Sequence, residues 1–358
     1  MAQDPVREAL ERQSANLSAK VAAGRPLESD ELAQLELLSR LKTIHDDFAA
    51  PRKNWWPPAA FAATLAILSA LLFVRVAETD VKLDLAVSEL DFSLVGDQAP
   101  WEPMRVDALG ISGMSSIQAP SDWSAPPDAS AMRIAGSATL APAVLPTGTA
   151  MSLRSTGVDR QYTLSFQAPQ IELRAGVTGP VTIAFAGSAE QKKDAATPRA
   201  IVMRAGRERA DMDFVIPSVS ARPFAPELRV KHLYFSRIDE LTQDRHTFVR
   251  RVSTILSGKV YFESLGGSER SIRSGEALQF QKSSGEFREL RLKDGEIEIQ
   301  FYGRVGGMTT GVGDNQRSLM PTYLDWLRAR HGPILLWGSA MYLFGLITTA
   351  LRWWGVYK

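Results

Sequence analysis

The chain of 358 residues has no cysteine and only four histidines. A disulfide framework is therefore excluded, as is any zinc site built on cysteine thiolates. Charges of the two signs nearly cancel, with 41 basic against 40 acidic residues, so the basic surface of a nucleic-acid-binding protein is missing. A hydrophobic content of 45% is too high for a mostly disordered chain.

Motifs of the common enzyme classes are also missing. We find no phosphate-binding loop, no dinucleotide-binding fingerprint, no H-E-x-x-H and no G-x-S-x-G. His232 and His246 are followed or flanked by Asp239, Glu240 and Asp244, which could bind a divalent cation, but charged surface stretches often contain such groups. We therefore expect no metal, no cofactor and no catalytic activity. A hydrolase that uses paired carboxylates, or one of these two histidines, remains an alternative.

Two long uncharged runs stand out against this ordinary composition. They cover Pro57–Val74 and Pro333–Leu351. At about 1.5 Å rise per residue, each is long enough as a helix to cross the hydrocarbon core of a bilayer. Neither has the polar face of a helix packed in a globular core. The sequence therefore predicts two transmembrane helices, at residues 55–76 and 333–352.

The residues beside the two runs predict an orientation. Basic residues accompany a tryptophan pair before the first run and after the second, and we interpret Trp55, Trp56, Trp353 and Trp354 as anchors at one membrane interface. Basic ends tend to stay in the cytoplasm. The arm of residues 1–54 and the tail of residues 353–358 are thus predicted to be cytoplasmic, and residues 77–317 periplasmic. Together with the high arginine and alanine content, this indicates a bacterial inner-membrane protein.

Small residues recur at four-residue spacing within the runs, which allows helix backbones to approach closely in lipid. The candidates for helix packing are Ala59, Ala62, Ala63, Ala66, Ala70, Gly338 and Gly345. The general abundance of alanine is the alternative explanation. Neither run contains an ionisable residue, which argues against an ion path through them.

The N-terminal arm is predicted to form two short helices. The first covers about Pro5–Ala22 and ends at the Gly24–Pro26 break. The second begins after Ser29 and has one apolar stripe made of Leu32, Leu35, Leu38, Leu41, Ile44 and Phe48. Two such helices cannot bury a sizeable core alone. The stripe is expected to contact a second copy of the chain, a cytoplasmic protein or the first helix.

From Val81 the hydrophobic period becomes two, as in half-buried strands. A one-residue slip at Ser88 and Glu89 predicts a β-bulge, and Lys293-Asp294-Gly295 predicts a hairpin turn between Phe287–Leu292 and Glu296–Tyr302. Further strands are predicted at Met132–Leu140, Tyr162–Phe166, Ile171–Leu173, Val181–Phe185, Ile201–Met203, Phe214–Val219, Leu228–Phe235, Val252–Phe262 and Ala277–Phe280. We expect a mainly β domain made of one or two antiparallel β-sandwiches, between two transmembrane helices and with a short α-helical arm.

Three segments of this domain are predicted to be something other than strands. Residues 96–130 are expected to be long irregular loops, whose Trp101 and Trp123 either contact a partner or pack onto the sandwich. Residues 236–251 are expected to be a helix or a long connection, and Gly303–Gly313 a flexible tether. A juxtamembrane helix is predicted within residues 318–332, at about Leu319–Arg330.

Charge is distributed unevenly along the domain. Residues 78–128 have a net charge of −8 and residues 129–332 a net charge of +7. Regions of opposite sign can attract each other within a chain or between subunits, or can simply be solvated faces.

These features favour a non-catalytic scaffold or assembly subunit of a bacterial envelope complex, held at the inner membrane by both ends. Its expected partners are the lipid bilayer, other envelope proteins and further copies of itself, with a cytoplasmic protein possible at the arm. A transmembrane signal transducer acting through the N-terminal helices is the first alternative. An envelope hydrolase is the second.

Overall fold

The computed structural model describes residues 5–24, 30, 33, 36–37, 40, 63, 66, 69–70, 73–206, 208–217, 224–243, 246–311 and 316–353. The chain divides into two compact units. The first contains Met1–Ile67 and Tyr342–Lys358, and the second contains Leu68–Met341.

In the first unit, helix α1 covers Pro5–Ala22, as the sequence predicts. Asp30, Ala33, Glu36, Leu37 and Arg40 are also helical. The predicted apolar stripe of this second helix, from Leu32 to Phe48, lies outside the described residues.

The second unit is built from antiparallel strands, which confirms the mainly β prediction. The described strands are β1 (Glu78–Val87), β2 (Glu89–Leu94), β3 (Met104–Ser112), β4 (Met114–Gln118), β5 (Met132–Leu140), β6 (Ala150–Ser155), β7 (Gln161–Gln167), β8 (Glu172–Phe185), β9 (Gln191–Ala205), β10 (Ala210–Val215), β11 (Ala225–Tyr234), β12 (Ser236–Gln243), β13 (His246–Ser253), β14 (Ile255–Phe262), β15 (Ser268–Ile272), β16 (Leu278–Gln279), β17 (Lys282–Lys293), β18 (Glu296–Gly306), β19 (Thr309–Thr310) and β20 (Arg317–Ser318). A short 3-10 helix covers Glu263–Leu265.

One large sheet contains fifteen of these strands, in the order β15-β14-β1-β18-β17-β11-β2-β6-β7-β10-β3-β5-β8-β9-β4. A hairpin, β12-β13, and a small sheet, β16-β19-β20, lie apart from it. Alternate residues of the large sheet point into a single hydrophobic cluster that includes Leu83, Phe92, Leu109, Phe166 and Phe301.

Four strands of this sheet are the halves of two longer bent segments, β1 with β2 and β3 with β4. Only Ser88 separates β1 from β2, yet three other strands lie between them in the sheet. Likewise only Gly113 separates β3 from β4, which is at the far edge of the sheet. Because chain neighbours must be close in space, the sheet folds back on itself in two places. The stretch β6-β7-β10 joins the two folded-back parts.

The chain bends between the paired halves at Ser88 and at Gly113, and the backbone is accommodated differently at these two residues. At Ser88, where the sequence predicts a bulge, the N–H donates to Thr254 O at 2.8 Å and the carbonyl accepts from Ser155 N at 2.8 Å. The Thr254 hydroxyl donates to the next carbonyl, that of Glu89, at 2.6 Å. Gly113 instead turns the chain with a φ of 76°, and a Cβ there would overlap the carbonyl oxygen of Arg209. Glycine suits this position because it adopts a positive φ readily and has no Cβ to overlap the Arg209 carbonyl oxygen.

Most predicted strands are confirmed, including the Lys293-Asp294-Gly295 hairpin, in which Lys293 pairs with Glu296. Three predictions are wrong. Residues 96–130 contain β3 and β4, whose buried positions Val106, Leu109, Ile111, Met114 and Ile117 are unevenly spaced because of a bulge and the Gly113 turn. Residues 236–243 and 246–251 belong to the paired strands β12 and β13, whose many charges conceal their β-branched residues. The expected tether at Gly303–Gly313 includes the end of β18, and β19 pairs with β16 and β20.

The acidic and basic regions of the domain meet within the chain. Ion pairs join Glu89 to Arg154 at 3.0 Å and Asp80 to Arg304 at 3.3 Å, each linking an early acidic strand to a later basic one. The intramolecular alternative therefore accounts for part of the segregated charge.

The two ends of the strand-containing part of the second unit, which we call the β unit, are hydrogen-bonded to each other. Arg75 and Thr322 form an antiparallel bridge, Val76 N–H donates to Pro321 O at 3.0 Å, and Tyr323 N–H donates to Val74 O at 3.0 Å. The Arg75 guanidinium also donates to the carbonyls of Ser318 and Met320, both at 2.9 Å. We call this arrangement the terminal clasp.

Helix α2 (Tyr323–Trp353) starts at the terminal clasp. Thr322 caps it, since the Thr322 hydroxyl accepts from Asp325 N–H at 3.2 Å and the Asp325 carboxylate accepts from Thr322 N–H at 3.3 Å, as in a capping box. The helix has a kink at His331, at the boundary predicted between a juxtamembrane helix and the second span. Among the described residues, no helix combines the length and the apolar character needed to cross a membrane.

Replacement of Gly113 by alanine tests the bend between β3 and β4. We expect Gly113→Ala to lower the free energy of unfolding by about 2–4 kcal/mol, because it adds left-handed backbone strain to a steric overlap. Gly176→Ala is the matched control, since Gly176 is also in a strand and its Cβ would meet only Thr139 O at 3.9 Å. Urea denaturation followed by circular dichroism measures both, and equal effects would argue against a special role of Gly113.

The terminal clasp can be tested by cross-linking in this cysteine-free chain. Residues directly opposite in an antiparallel pair lie about 4.5–5.5 Å apart at Cα, within the range that a disulfide bridges. The double variant Arg75→Cys, Thr322→Cys is expected to form an intramolecular disulfide under mild oxidation, detected as a shift on non-reducing gels. Each single variant is the control, and a double variant that stays reduced would contradict the clasp.

Candidate functional site

The two tryptophans proposed as contact anchors are core residues. Trp101 is 1% exposed, its indole N–H donates to Ala141 O at 2.9 Å, and its ring lies 6.5 Å from that of Phe166. Trp123 is 6% exposed. The interpretation as exposed partner anchors is corrected in favour of the packing alternative, because neither indole is available at the surface.

The described candidates for helix packing lie on exposed helical positions. They are Ala63, Ala66 and Ala70 in the first run, and Gly338 and Gly345 in α2. Within the described part of the chain, an added Cβ at Gly338 would meet no atom within 4 Å. Ala59, Ala62, Trp55, Trp56 and Trp354 lie outside the described residues, and Trp353 is the last residue of α2. Helix packing and interface anchoring remain predictions.

The histidines and acids considered for metal binding are on different sheets. His232 belongs to β11 in the large sheet, whereas Asp239, Glu240 and His246 belong to the β12-β13 hairpin. Asp239 pairs with Arg237 at 2.8 Å. Asp244 lies outside the described residues. Among the residues that the structure describes, no group of three or more histidines and acids is placed to hold a metal ion.

The structure instead brings together polar residues that the sequence analysis does not single out. They line a cavity of about 710 Å³ on the solvent face of six adjacent strands, β11, β2, β6, β7, β10 and β3. We call this cavity the polar trough. Its side chains are Glu89, Asp91, Ser93, Ser112, Ser152, Arg154, Thr163, Ser165, Gln167, Arg209, Asp211, Asp213, His232 and Tyr234.

The register of the strands arranges these residues in rows across the sheet. The central row runs Tyr234, Asp91, Ser152, Ser165, Asp211, Ser112, with each residue directly opposite the next. A second row runs Glu89, Arg154, Thr163, Asp213. With strands about 4.8 Å apart, the central row is roughly 24 Å long. The intervening residues of the same strands, among them Phe92, Leu164 and Met212, are buried in the core.

Two arginines at the trough are held by neighbouring carboxylates. Arg154 contacts Glu89 at 3.0 Å. Arg209 donates from Nε to Asp211 at 3.0 Å and from Nη2 to the hydroxyl of Ser165 at 2.7 Å. Ser165 itself is only 4% exposed. The floor of the trough is therefore fixed by charge-assisted hydrogen bonds rather than by flexible side chains.

Asp91 lies on β2, between Tyr234 of β11 and Ser152 of β6. Burial raises the pKa of the Asp91 carboxyl, and this effect outweighs a hydrogen bond from Ser152 and the charges of Arg209 and Arg154, which act in the opposite direction. The trough thus contains a partly desolvated carboxylate. Such a group is costly for stability unless a partner supplies hydrogen bonds.

A bulge in β11 shapes one end of the trough. The register shifts between Lys231 and Tyr234, and His232 has a positive φ of 57°. The shift keeps Leu233 in the core, where its N–H donates to the buried Ser283 hydroxyl at 2.8 Å. His232 and Tyr234 are both exposed at the trough as a result.

The signal for the trough is present in the sequence, but in a form that is hard to use. Polar residues alternate with apolar ones at Glu89, Asp91, Ser93 in β2 and at Asp211, Asp213 in β10. This alternation is the expected pattern for any half-exposed strand. Which strands lie side by side depends on the two bends, and these determine that the polar faces meet.

The stability of Asp91 variants tests whether burial raises the pKa of this carboxyl. A raised folded-state pKa contributes stability that is fully present below the unfolded value of about 3.9 and is lost as pH rises through the folded value. We therefore expect Asp91→Asn to be more stable than the wild type near pH 7 and equal to it near about pH 3. Urea midpoints across this pH range measure the difference. Asp107→Asn, at an exposed position of β3, is the control, and a destabilised Asp91→Asn at neutral pH would contradict the assignment.

Comparison with protein-family models and with curated proteins finds no match for this chain. The polar trough and the terminal clasp are therefore interpreted from their own residues and contacts.

Proposed function

We propose that the chain is a two-pass protein of the bacterial inner membrane whose periplasmic β domain is a non-catalytic scaffold or assembly subunit of an envelope complex. The terminal clasp is the observation that carries this proposal. Arg75 and Thr322 bring the start and the end of the β unit together, at the positions where the two uncharged runs adjoin it. A domain whose two ends meet at one point is suited to a single membrane face.

The proposed second span is supported by the surface of α2. Ile334, Trp337 and Met341 are each about three-quarters exposed, at 75%, 76% and 74%. Their spacing of three and four residues places them on one side of a helix. A contiguous exposed apolar surface of this kind is unusual for a soluble monomer and is favourable against lipid. The uncharged run Pro333–Leu351 provides the length, as argued from the sequence.

The prediction of one or two antiparallel β-sandwiches is part of the same proposal, and the folding back of the sheet in two places favours two. Each of the two places where the sheet folds back contains one bent strand together with the strands between its halves. The shared hydrophobic cluster favours close packing of these parts.

The scaffold role is supported by the surface that the fifteen hydrogen-bonded strands of the large sheet present. Partners are proposed to be other envelope proteins or further copies of this chain, with the polar trough as one available surface. The N-terminal arm would contact a cytoplasmic protein or its own copy in another subunit. The signal-transducer alternative is favoured by one observation, that the terminal clasp links both helices to the same point of the β unit.

Membrane topology can be tested with single cysteines, because the native chain has none. Val158→Cys lies in the loop between β6 and β7, where the native side chain is 58% exposed. A membrane-impermeant maleimide is expected to label Val158→Cys in spheroplasts, and to label Lys358→Cys only after lysis. Labelling of Lys358→Cys but not of Val158→Cys in intact spheroplasts would reverse the topology. Recovery of the protein in the soluble fraction would overturn the membrane proposal.

The scaffold and transducer roles separate on deletion of residues 1–50. If the chain is a scaffold, the variant without residues 1–50 should keep its periplasmic partners in a cross-linked pull-down analysed by mass spectrometry. Removal of the whole chain should disrupt the complex. A transducer should keep these partners after the deletion but lose its cellular output. A full-length chain that recovers no envelope protein would contradict the scaffold role.

A further inference from the structure

The polar trough has the features of a ligand site, a role that goes beyond the scaffold function proposed above. Its volume of about 710 Å³ lies within the range of small-molecule sites. It crosses six strands and is open along its length. The ligand it fits is therefore extended rather than compact.

The backbone of the trough offers nothing for a ligand to pair with. Strands β2, β6, β7, β10, β3 and β11 each have a hydrogen-bonded neighbour on both sides. A peptide that binds by adding a strand needs a free sheet edge, and this surface has none among these six strands. Recognition must come from side chains alone.

Those side chains are mainly short and able to both accept and donate hydrogen bonds. Four serines and one threonine line the trough, Ser93, Ser112, Ser152, Ser165 and Thr163, beside the Gln167 amide. Hydroxyl groups and carboxylates match the hydroxyl groups of a sugar, which also donate and accept. Tyr234, half exposed at one end of the central row, supplies an aromatic face beside these polar groups.

The charges at the trough disfavour an anionic ligand. Four carboxylates face two guanidinium groups, and each guanidinium already contacts a carboxylate, Arg154 that of Glu89 and Arg209 that of Asp211. A phosphate or acidic peptide would have to displace these pairs. A neutral donor of hydrogen bonds would leave them in place.

Asp91 gives the trough a place where such a ligand gains affinity. Its carboxylate is partly buried, lies directly opposite Ser152 in the central row, and is influenced by the charges of Arg209 and Arg154. A ligand hydroxyl that donates to this carboxylate would replace the water lost through burial. Hydrogen bonds to charged groups are worth more than those between neutral groups.

We propose that the polar trough binds a linear oligosaccharide, held by hydrogen bonds from its hydroxyl groups to Asp91, Ser152 and the neighbouring polar side chains.

The proposal is tested with the purified full-length chain in a detergent that has no sugar headgroup. Cellotetraose, maltotetraose and chitotetraose are the probes, and saturation-transfer NMR followed by titration gives the dissociation constants. At least one tetrasaccharide is expected to bind. Asp91→Asn and Ser152→Ala should each weaken that binding about tenfold or more.

Asp80→Asn is the matched control, since Asp80 is an exposed carboxylate in β1, outside the polar trough, that pairs with Arg304. It should bind as the wild type does. Asp91→Asn is expected to fold at least as well as the wild type, so a loss of binding would not reflect unfolding; circular dichroism melting verifies this.

Three results would overturn the proposal. The first is that none of the tetrasaccharides binds at concentrations up to about 10 mM. The second is binding that is unchanged in Asp91→Asn and Ser152→Ala. The third is that tetralysine, added as a cationic peptide probe, binds in a way that depends on Asp91 while the sugars do not, which would assign the trough to a basic peptide.

Discussion

The architecture depends on one requirement, that the backbone of two bent strands stay hydrogen-bonded while each strand changes its neighbours. Residues 78–94 and 104–118 each pair with one set of strands before a break and with another after it. Buried N–H and C=O groups left without partners are expensive, so each break needs a local solution. At Ser88 the solution is a bend between β1 and β2 whose N–H and C=O groups bond to Thr254 and Ser155. At Gly113 it is a left-handed turn without a side chain. These two residues determine which strands become neighbours.

The polar trough is a consequence of that choice of neighbours. Because β2 follows the first break and β3 precedes the second, both strands border the short stretch β6-β7-β10. Their inward side chains complete the core, and their outward side chains form rows of hydroxyls and carboxylates. Packing alone would be satisfied by any polar residues at the outward positions. The burial of the Asp91 carboxyl raises its pKa, which lowers stability at neutral pH without improving the core. Residues that lower stability in this way are frequent at functional sites.

Sequence reasoning is reliable where the physics is local and fails where it depends on sheet order. Strand Met132–Leu140 and the Asp294-Gly295 hairpin are predicted because alternation and turn chemistry are contained in a few consecutive residues. Strands β3 and β4 are missed because a bulge and the Gly113 turn interrupt the alternation. The β12-β13 hairpin is missed because its charged residues conceal the strand pattern. The trough could not be predicted, since Asp91 and Ser165 become neighbours only through pairings with β6 that no short segment encodes.

The terminal clasp limits how the helices can act on the β unit. The first turn of α2 is fixed twice, by the capping of Thr322 with Asp325 and by the bridge from Thr322 to Arg75. The start of α2 is therefore held at the terminal clasp. Beyond this start the helix is kinked at His331, where φ is −132° and the regular hydrogen-bonding geometry is interrupted. A change of helix direction is easiest at such a point. The kink thus separates the part of α2 that begins at the terminal clasp from the uncharged run that begins at Pro333.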